Sequence, residues 1–261
     1  MRPILPASRA LRALIPVAML CAAQACRDHP DPFVPDAEMI AKLTITAQPS
    51  APILTPTVGW TALGLATPRD GRLYVPSSYN PATPARLLVL LHGAGVSSQM
   101  FESGAFVSWA NNHGIILLAT DSRFPTWDLV VTGEYDEDVA FLNAALLHTF
   151  ARVNVDPTEV VIGGFSDGAS EAMGIGVANA GLFRRIMAFS PGVAVIPFRR
   201  GNPAVFVSAG DEDTGIFLNA RDQIVPFLRA NSMPVTFLPF AGGHAMPDPV
   251  IGEAFEWWLG I

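Results

Sequence analysis

VVIGGFSDGAS, residues 160–170, is the stretch whose reading decides the fold of this chain. Val160, Val161 and Ile162 are apolar and β-branched, as in a buried strand, while the residues after Asp167 are small enough for a closely packed helix. Between the two runs stands Ser166, two residues after Gly164 and two before Gly168. A serine on a sharp strand-to-helix turn is held in a strained conformation, its hydroxyl exposed and the next backbone N–H facing the same space. Glycine is expected at 164 and 168 because side chains there would collide across the turn. The plain alternative is a glycine-rich turn without chemistry. G-x-S-x-G alone does not separate the two readings; the strand before it and the helix after it favour the first.

On either side of this stretch, short apolar runs alternate with amphipathic ones. RLLVLLHG, IILLATD, EVVIGGFS, RRIMAFSP, PAVFVSAGD and VTFLPF read as strands. ESGAFVSWANNHG, EDVAFLNAALLHTFARV, the segments near 168–180 and 217–231, and a last segment ending EAFEWWLG read as helices. Strands made almost wholly of Val, Ile, Leu and Phe, with helices between them, predict an α/β fold with a mostly parallel sheet covered on both faces. Right-handed crossovers then place every strand's carboxyl end on one edge, where function is expected. Upstream, LGLATP and GRLYVPSSY are separated by Arg69-Asp70-Gly71. The Asp-Gly pair predicts a tight turn and hence an antiparallel hairpin at the sheet's N-terminal edge. The segment SRFPTWDLVVTGEYDE, 122–137, is the longest connection and the expected substrate-contacting or capping segment.

The chain starts with Arg2, Arg9 and Arg12 and an apolar run from Ala13 to Ala23, the pattern of a signal peptide, too short to span a bilayer. Ala23-Gln24-Ala25 predicts cleavage before Cys26, so residues 1–25 are expected to be removed and the protein exported to the periplasm, the outside or a lipid-anchored state. Cys26 is then a candidate lipid acceptor and membrane tether, although Ala23 stands where lipoprotein signals usually carry leucine. Residues 26–56, rich in Pro, Ala, Ser and Thr, read as a tether or loosely packed arm, and 57–261 as the catalytic domain.

With 261 residues, 50% of them hydrophobic and 15% charged, the chain can bury a large core. Its formal charge of -7, with no cluster of Lys and Arg, lacks the footprint of a nucleic-acid binder. The two cysteines, Cys21 and Cys26, leave no internal disulfide in a processed chain. The five histidines are scattered, and neither H-E-x-x-H nor C-x-x-C occurs, so no metal site is expected.

A neutral serine is a poor nucleophile and needs a base. In the order serine, acid, histidine, His244 in PFAGGHAMPDP is the one histidine that follows Ser166. The acid is sought after the strand AVFVSAG, where Asp211, Glu212 and Asp213 stand together; Asp213 is preferred and Asp211 is the second choice. The carboxylate would orient the imidazole and stabilise its cation. The developing oxyanion needs N–H donors, expected from Asp167 and from Ala94 in LLHGAG, with His92 bracing that loop. Met100, Phe101, Phe124 and Trp127 are candidates for an apolar wall around the substrate. Ser190, in AFSPG, has no glycine two residues before it and reads as a strand-end turn.

LLHGAG, DSRFPTWDL, GFSDGAS, FRRIMAFSPG, SAGDEDTG and FAGGHAMPDPVIGEAFEWWL together resemble serine esterases of the α/β-hydrolase fold, the phospholipase/carboxylesterase-like or polyhydroxybutyrate-depolymerase-like group. The likeness covers about residues 60–261. It implies a catalytic set of Ser166, Asp213 and His244 acting on carboxylic esters. It departs at Thr214-Gly215-Ile216, where such enzymes often carry Val or Leu after the acid. The function expected is an exported serine esterase that works through an acyl-enzyme on a small or medium ester, with no cofactor and no evident protein partner. A serine peptidase or thioesterase would use the same residues, and a non-catalytic, surface-tethered binding protein could share the fold.

Overall fold

The computed structural model describes residues 35–261. The signal segment, Cys26 and the start of the arm lie outside the described residues. An eight-stranded sheet in the order β1-β2-β4-β3-β5-β6-β7-β8 forms the middle layer. Its strands are β1 (Gly59–Ala62), β2 (Gly71–Val75), β3 (Ala85–Leu91), β4 (Ile116–Thr120), β5 (Val155–Phe165), β6 (Arg185–Phe189), β7 (Ala204–Gly210) and β8 (Val235–Phe240). From β4 across to β8 all neighbours are parallel; β1–β2 and β2–β4 are antiparallel and form the expected edge.

The continuous apolar runs have a simple cause. In β3, Leu87, Val89 and Leu91 enter one core, while Leu88 and Leu90 enter the other. Successive side chains point to opposite faces, and here both faces are dry. One face is covered by α4 (Glu137–Phe150), α5 (Asp167–Ala178) and the helical stretch from α6 (Thr214–Asn219) through a π-turn at Ala220–Ile224 into α7 (Val225–Ala230). The other is covered by α2 (Ala105–His113) and α8 (Asp248–Leu259), where Trp109 stacks on Phe255 with centroids 5.3 Å apart. In α5 every residue from Gly168 to Ala178 is buried, which explains its small residues and its lack of a polar stripe.

Two expectations need correction. The arm is not loose over its second half: α1 (Ala37–Leu43) and the chain after it pack into the core, with Leu43 and Ala47 fully buried. A helix this short does not hold in water by itself. Burying Leu43 and Ile45 contributes about 1.5–3 kcal/mol each. Asn143 Oδ1 accepts the N–H of Thr46 and of Ala47 at 2.8 and 2.9 Å, and Asn179 Oδ1 accepts that of Ile45 at 2.8 Å. These partners lie about a hundred residues away in sequence, so no local periodicity announces them.

The hairpin is also built differently. Its first strand is Gly59–Ala62 and not LGLATP, which instead belongs to the connecting loop 63–70. Asp70 is not the corner of a two-residue turn; its carboxylate accepts the N–H groups of Gly64, Leu65 and Ala66 at 2.7–3.3 Å and so organises the loop.

Segment 122–137 is pinned down and contains one helical turn, α3 (Asp128–Val131). The Asp128 N–H donates to Asp138 Oδ2 at 2.7 Å and the Asp138 N–H to Asp128 Oδ2 at 2.8 Å. No helix of the described residues is long and apolar enough to cross a membrane.

Candidate active site

β5 delivers Ser166 to the carboxyl edge of the sheet. Its φ of 56° and ψ of -118° lie in a region that non-glycine residues rarely adopt, so the turn stores backbone strain. The strain is held from both sides: the Ser166 N–H donates to Phe189 O at 2.9 Å, and its carbonyl accepts from Ala169 and Ser170 in the first turn of α5. Glycine at 164 and 168 follows from close approach. A Cβ on Gly164 would sit 2.4 Å from the Gly168 carbonyl, and one on Gly168 would sit 2.2 Å from Leu91 O.

His244 reaches Ser166 from the loop after β8. Its Nε2 lies 2.8 Å from Ser166 Oγ, and its Nδ1 lies 2.7 Å from Asp213 Oδ2. The ring rests against Phe165 at a centroid distance of 4.9 Å. The next residue, Ala245, is tied by its carbonyl to the buried Ser190 hydroxyl at 3.1 Å. Asp211 does something else: its Oδ1 accepts the Gly242 N–H at 3.2 Å, joining the loop after β7 to the loop that carries His244. Of the two acids considered, the structure therefore brings Asp213 to the imidazole. The histidine and acid side chains are 36% and 23% exposed, so the site is open to solvent.

The loop after β3 forms the facing wall. A Cβ on Gly93 would come 3.0 Å from the Phe165 ring, which places Ala94 beside the elbow, exposed at the surface. Asp167 opens α5, where backbone N–H groups have no partner inside the helix. Ala94 thus follows a glycine packed on Phe165, and Asp167 directly follows the serine, so both residues border the site.

His92 is fully buried. Burial pushes its pKa below the usual histidine value, against the raising effect of its hydrogen bond to the Gly93 carbonyl, and the neighbouring Arg69 acts in the same direction as burial. Nδ1 donates to Gly93 O at 2.7 Å, leaving Nε2 to accept from the Ser122 N–H at 3.0 Å and from Arg69 Nη2 at 3.1 Å. With both nitrogens engaged, this ring braces the loop, as the sequence reading expected.

The apolar wall proposed from sequence is mostly not a wall. Phe101 is fully buried and meets Phe106 edge to face, and Trp127 is 1% exposed, so neither presents a surface to a substrate. Trp127 packs its ring on His92 at 4.8 Å and donates its indole N–H to His92 O at 2.7 Å. Met100 is half-buried against the same core as Phe101. Phe124, 42% exposed, remains available. The bulk that suggested a pocket lining is used to seat loops, which is the usual destination of large aromatic side chains.

Sequence reasoning missed the polar residues that hold the walls. Thr126 Oγ1 donates to Asp167 Oδ2 at 2.6 Å, and Ser170 Oγ accepts the N–H groups of Gly192 and Val193 at 3.0 and 3.1 Å. Lone hydroxyls in loops carry no pattern from which such partners could be read. Among the described residues no three His, Cys, Asp or Glu side chains gather as a metal-holding group.

No protein-family model matches the sequence, and no curated protein matches it. Solved structures do share its fold. A thermostable esterase superposes with a TM-score of 0.62 at 18% identity over 77% of this chain, which spans 62% of that protein's length. The fluorophosphonate-binding serine hydrolase F of Staphylococcus aureus, with substrate bound, gives 0.62 at 14% identity, covering 78% of this chain and 99% of the other. A thermophilic esterase of Thermogutta terrifontis gives 0.61 at 17% identity, covering 81% and 96%. At these identities the likeness defines the architecture: the chain has the α/β-hydrolase fold, with the edge hairpin and mostly parallel sheet expected of it.

Proposed function

We propose that this chain is an exported serine esterase acting on small or medium carboxylic esters. The observation that carries the reading is the line Ser166 Oγ, His244, Asp213, with contacts of 2.8 and 2.7 Å, on a strained elbow at the sheet's carboxyl edge. Ser166 Oγ attacks the ester carbonyl carbon as its proton passes to His244 Nε2, and the Asp213 carboxylate holds the imidazolium that forms. The tetrahedral oxyanion is held by the N–H groups of Asp167 and Ala94. Its collapse breaks the bond to the alkoxy oxygen, which leaves as alcohol with the proton from Nε2. Water, deprotonated by the same nitrogen, then releases the acid and restores the serine.

Export is supported by the basic and apolar start of the chain and by Ala23-Gln24-Ala25, with Cys26 as the position for a lipid anchor. The open site and the absence of clustered Lys and Arg favour a neutral ester over an anionic one. Labelling with a fluorophosphonate probe tests the reading. Wild-type protein should label and hydrolyse p-nitrophenyl acetate, and Ser166→Ala should do neither; a wild-type protein that fails to label beside a reactive control esterase refutes it.

A further inference from the structure

The polar contacts of Pro125, Thr126 and Trp127 are not accounted for by the chemistry above. Each of these consecutive residues is hydrogen-bonded to a wall of the site. Pro125 O accepts the Gly95 N–H at 2.9 Å, Thr126 Oγ1 donates to Asp167 Oδ2 at 2.6 Å, and Trp127 Nε1–H donates to His92 O at 2.7 Å. The first and third contacts hold residues 92–95, the loop that carries Ala94; the middle one holds the residue after Ser166.

Resting on the serine-hydrolase reading, we infer that Thr126 is a positioning residue which, within the clamp 125–127, sets the spacing of the two oxyanion donors. A hole made of backbone donors works only if both N–H groups aim at the point where charge develops, and an error near 1 Å can cost about a hundredfold in rate. Ala94 lies in an exposed loop whose own sequence, rich in glycine, does not fix its course. Asp167 sits at a strained elbow, and the carboxylate that stands beside the nucleophile is engaged by Thr126 instead of projecting freely toward the substrate. Three short hydrogen bonds from three successive residues leave the clamp little freedom to shift one wall without the other. The clamp is itself anchored: Arg123 N–H donates to Asp138 Oδ1 at 2.6 Å, and Ser122 Oγ donates to Phe124 O at 2.6 Å.

Thr126→Val keeps the shape of the half-buried side chain and removes the donor; Thr126→Ser keeps the donor. Both are measured for p-nitrophenyl ester turnover, for inhibition by an alkyl trifluoromethyl ketone, whose serine adduct carries the oxyanion, and for thermal unfolding. The expected result for Thr126→Val is a fall of about 10- to 100-fold in kcat with KM changed less than threefold. The ketone should weaken by a matching factor, because only contacts made in the transition state are lost. Thr126→Ser should recover most of both.

Wild-type kcat and ketone affinity in Thr126→Val overturn the inference. So does a loss that follows unfolding temperature and leaves the ketone affinity intact, or one that Thr126→Ser does not repair. These results are distinct from a wild-type protein that neither labels with fluorophosphonate nor turns over ester, which would refute the hydrolase reading and this inference with it.

Discussion

If the proposed esterase reading holds, replacing Asp213 by asparagine should cost about three to four orders of magnitude in turnover, and the reason lies in one proton. His244 Nδ1 stands 2.7 Å from Asp213 Oδ2 and Nε2 stands 2.8 Å from Ser166 Oγ. A carboxylate can only accept, so it fixes the imidazole proton on Nδ1 and leaves the Nε2 lone pair aimed at the serine. An asparagine amide can donate to Nδ1 instead, which moves the proton to Nε2 and removes the base. The change also deletes the charge that stabilises the imidazolium, worth about 4 kcal/mol for unit charges about 4 Å apart at an effective dielectric near 20. In enzymes with such a triad the swap lowers kcat about 10⁴-fold. Because the two side chains here are 36% and 23% exposed, water screens part of that term, and about 10³ to 10⁴ is expected. Asp211→Asn is the matched control: it is exposed, and an amide oxygen can still accept the Gly242 N–H, so turnover should stay within about threefold. Initial rates on p-nitrophenyl acetate at pH 7 to 8 decide the matter. A larger loss in Asp211→Asn, or a loss below tenfold in Asp213→Asn, refutes the assignment of Asp213 as the partner of His244.

The buried Glu171 gives a pH prediction. Burial, reinforced by the facing Asp138 and Asp128, raises its carboxyl well above the ordinary 4.5, so as pH climbs above that value the unfolded chain has released a proton that the folded chain keeps. Stability attributable to this group therefore falls by about 1.4 kcal/mol per pH unit until the folded value is reached. Glu171→Gln removes that slope; in urea denaturation at pH 5 to 8 its advantage over wild type should widen with pH, and parallel curves would refute the buried-acid reading. Gly168→Ala should lose about 3 kcal/mol or more of stability, since its new methyl meets two backbone carbonyls at 2.2 and 2.4 Å that cannot move aside. Gly215→Ala, with nothing within 4 Å, should change stability by less than about 0.5 kcal/mol by the same assay.

What could be read from the sequence was local or periodic. The strand and helix flanking Ser166 are decided by β-branched and small residues within a few positions, and the long apolar runs follow from a sheet buried on both faces. His244 could be found by elimination because a single histidine follows the serine, and the acid could be narrowed to one turn though not to one carboxylate. Side chains working across large sequence distances were not legible. Asn143 and Asn179 seat the arm from about a hundred residues away, and the aromatic side chains of Phe101 and Trp127 look the same in sequence whether they line a pocket or brace a loop.

The strand order explains why residues so far apart meet at the site. β3 lies between β4 and β5, so the segments that leave the carboxyl ends of these three strands must come together over β3. Those segments carry Ala94, the 125–127 clamp and Asp167. The imidazole and its carboxylate partner come from elsewhere, with Asp213 after β7 and His244 after β8, strands that pair with each other at the far edge. Ser166 is the point at which the two groups of loops touch, through Asp167 on one side and His244 Nε2 on the other. On this plan the clamp can be altered without moving the imidazole. Loss of Thr126 should accordingly weaken binding of the trifluoromethyl ketone while leaving the 2.7 Å contact between His244 and Asp213 in place, whereas loss of Asp213 should free the imidazole without disturbing the hydrogen bonds that hold residues 92–95.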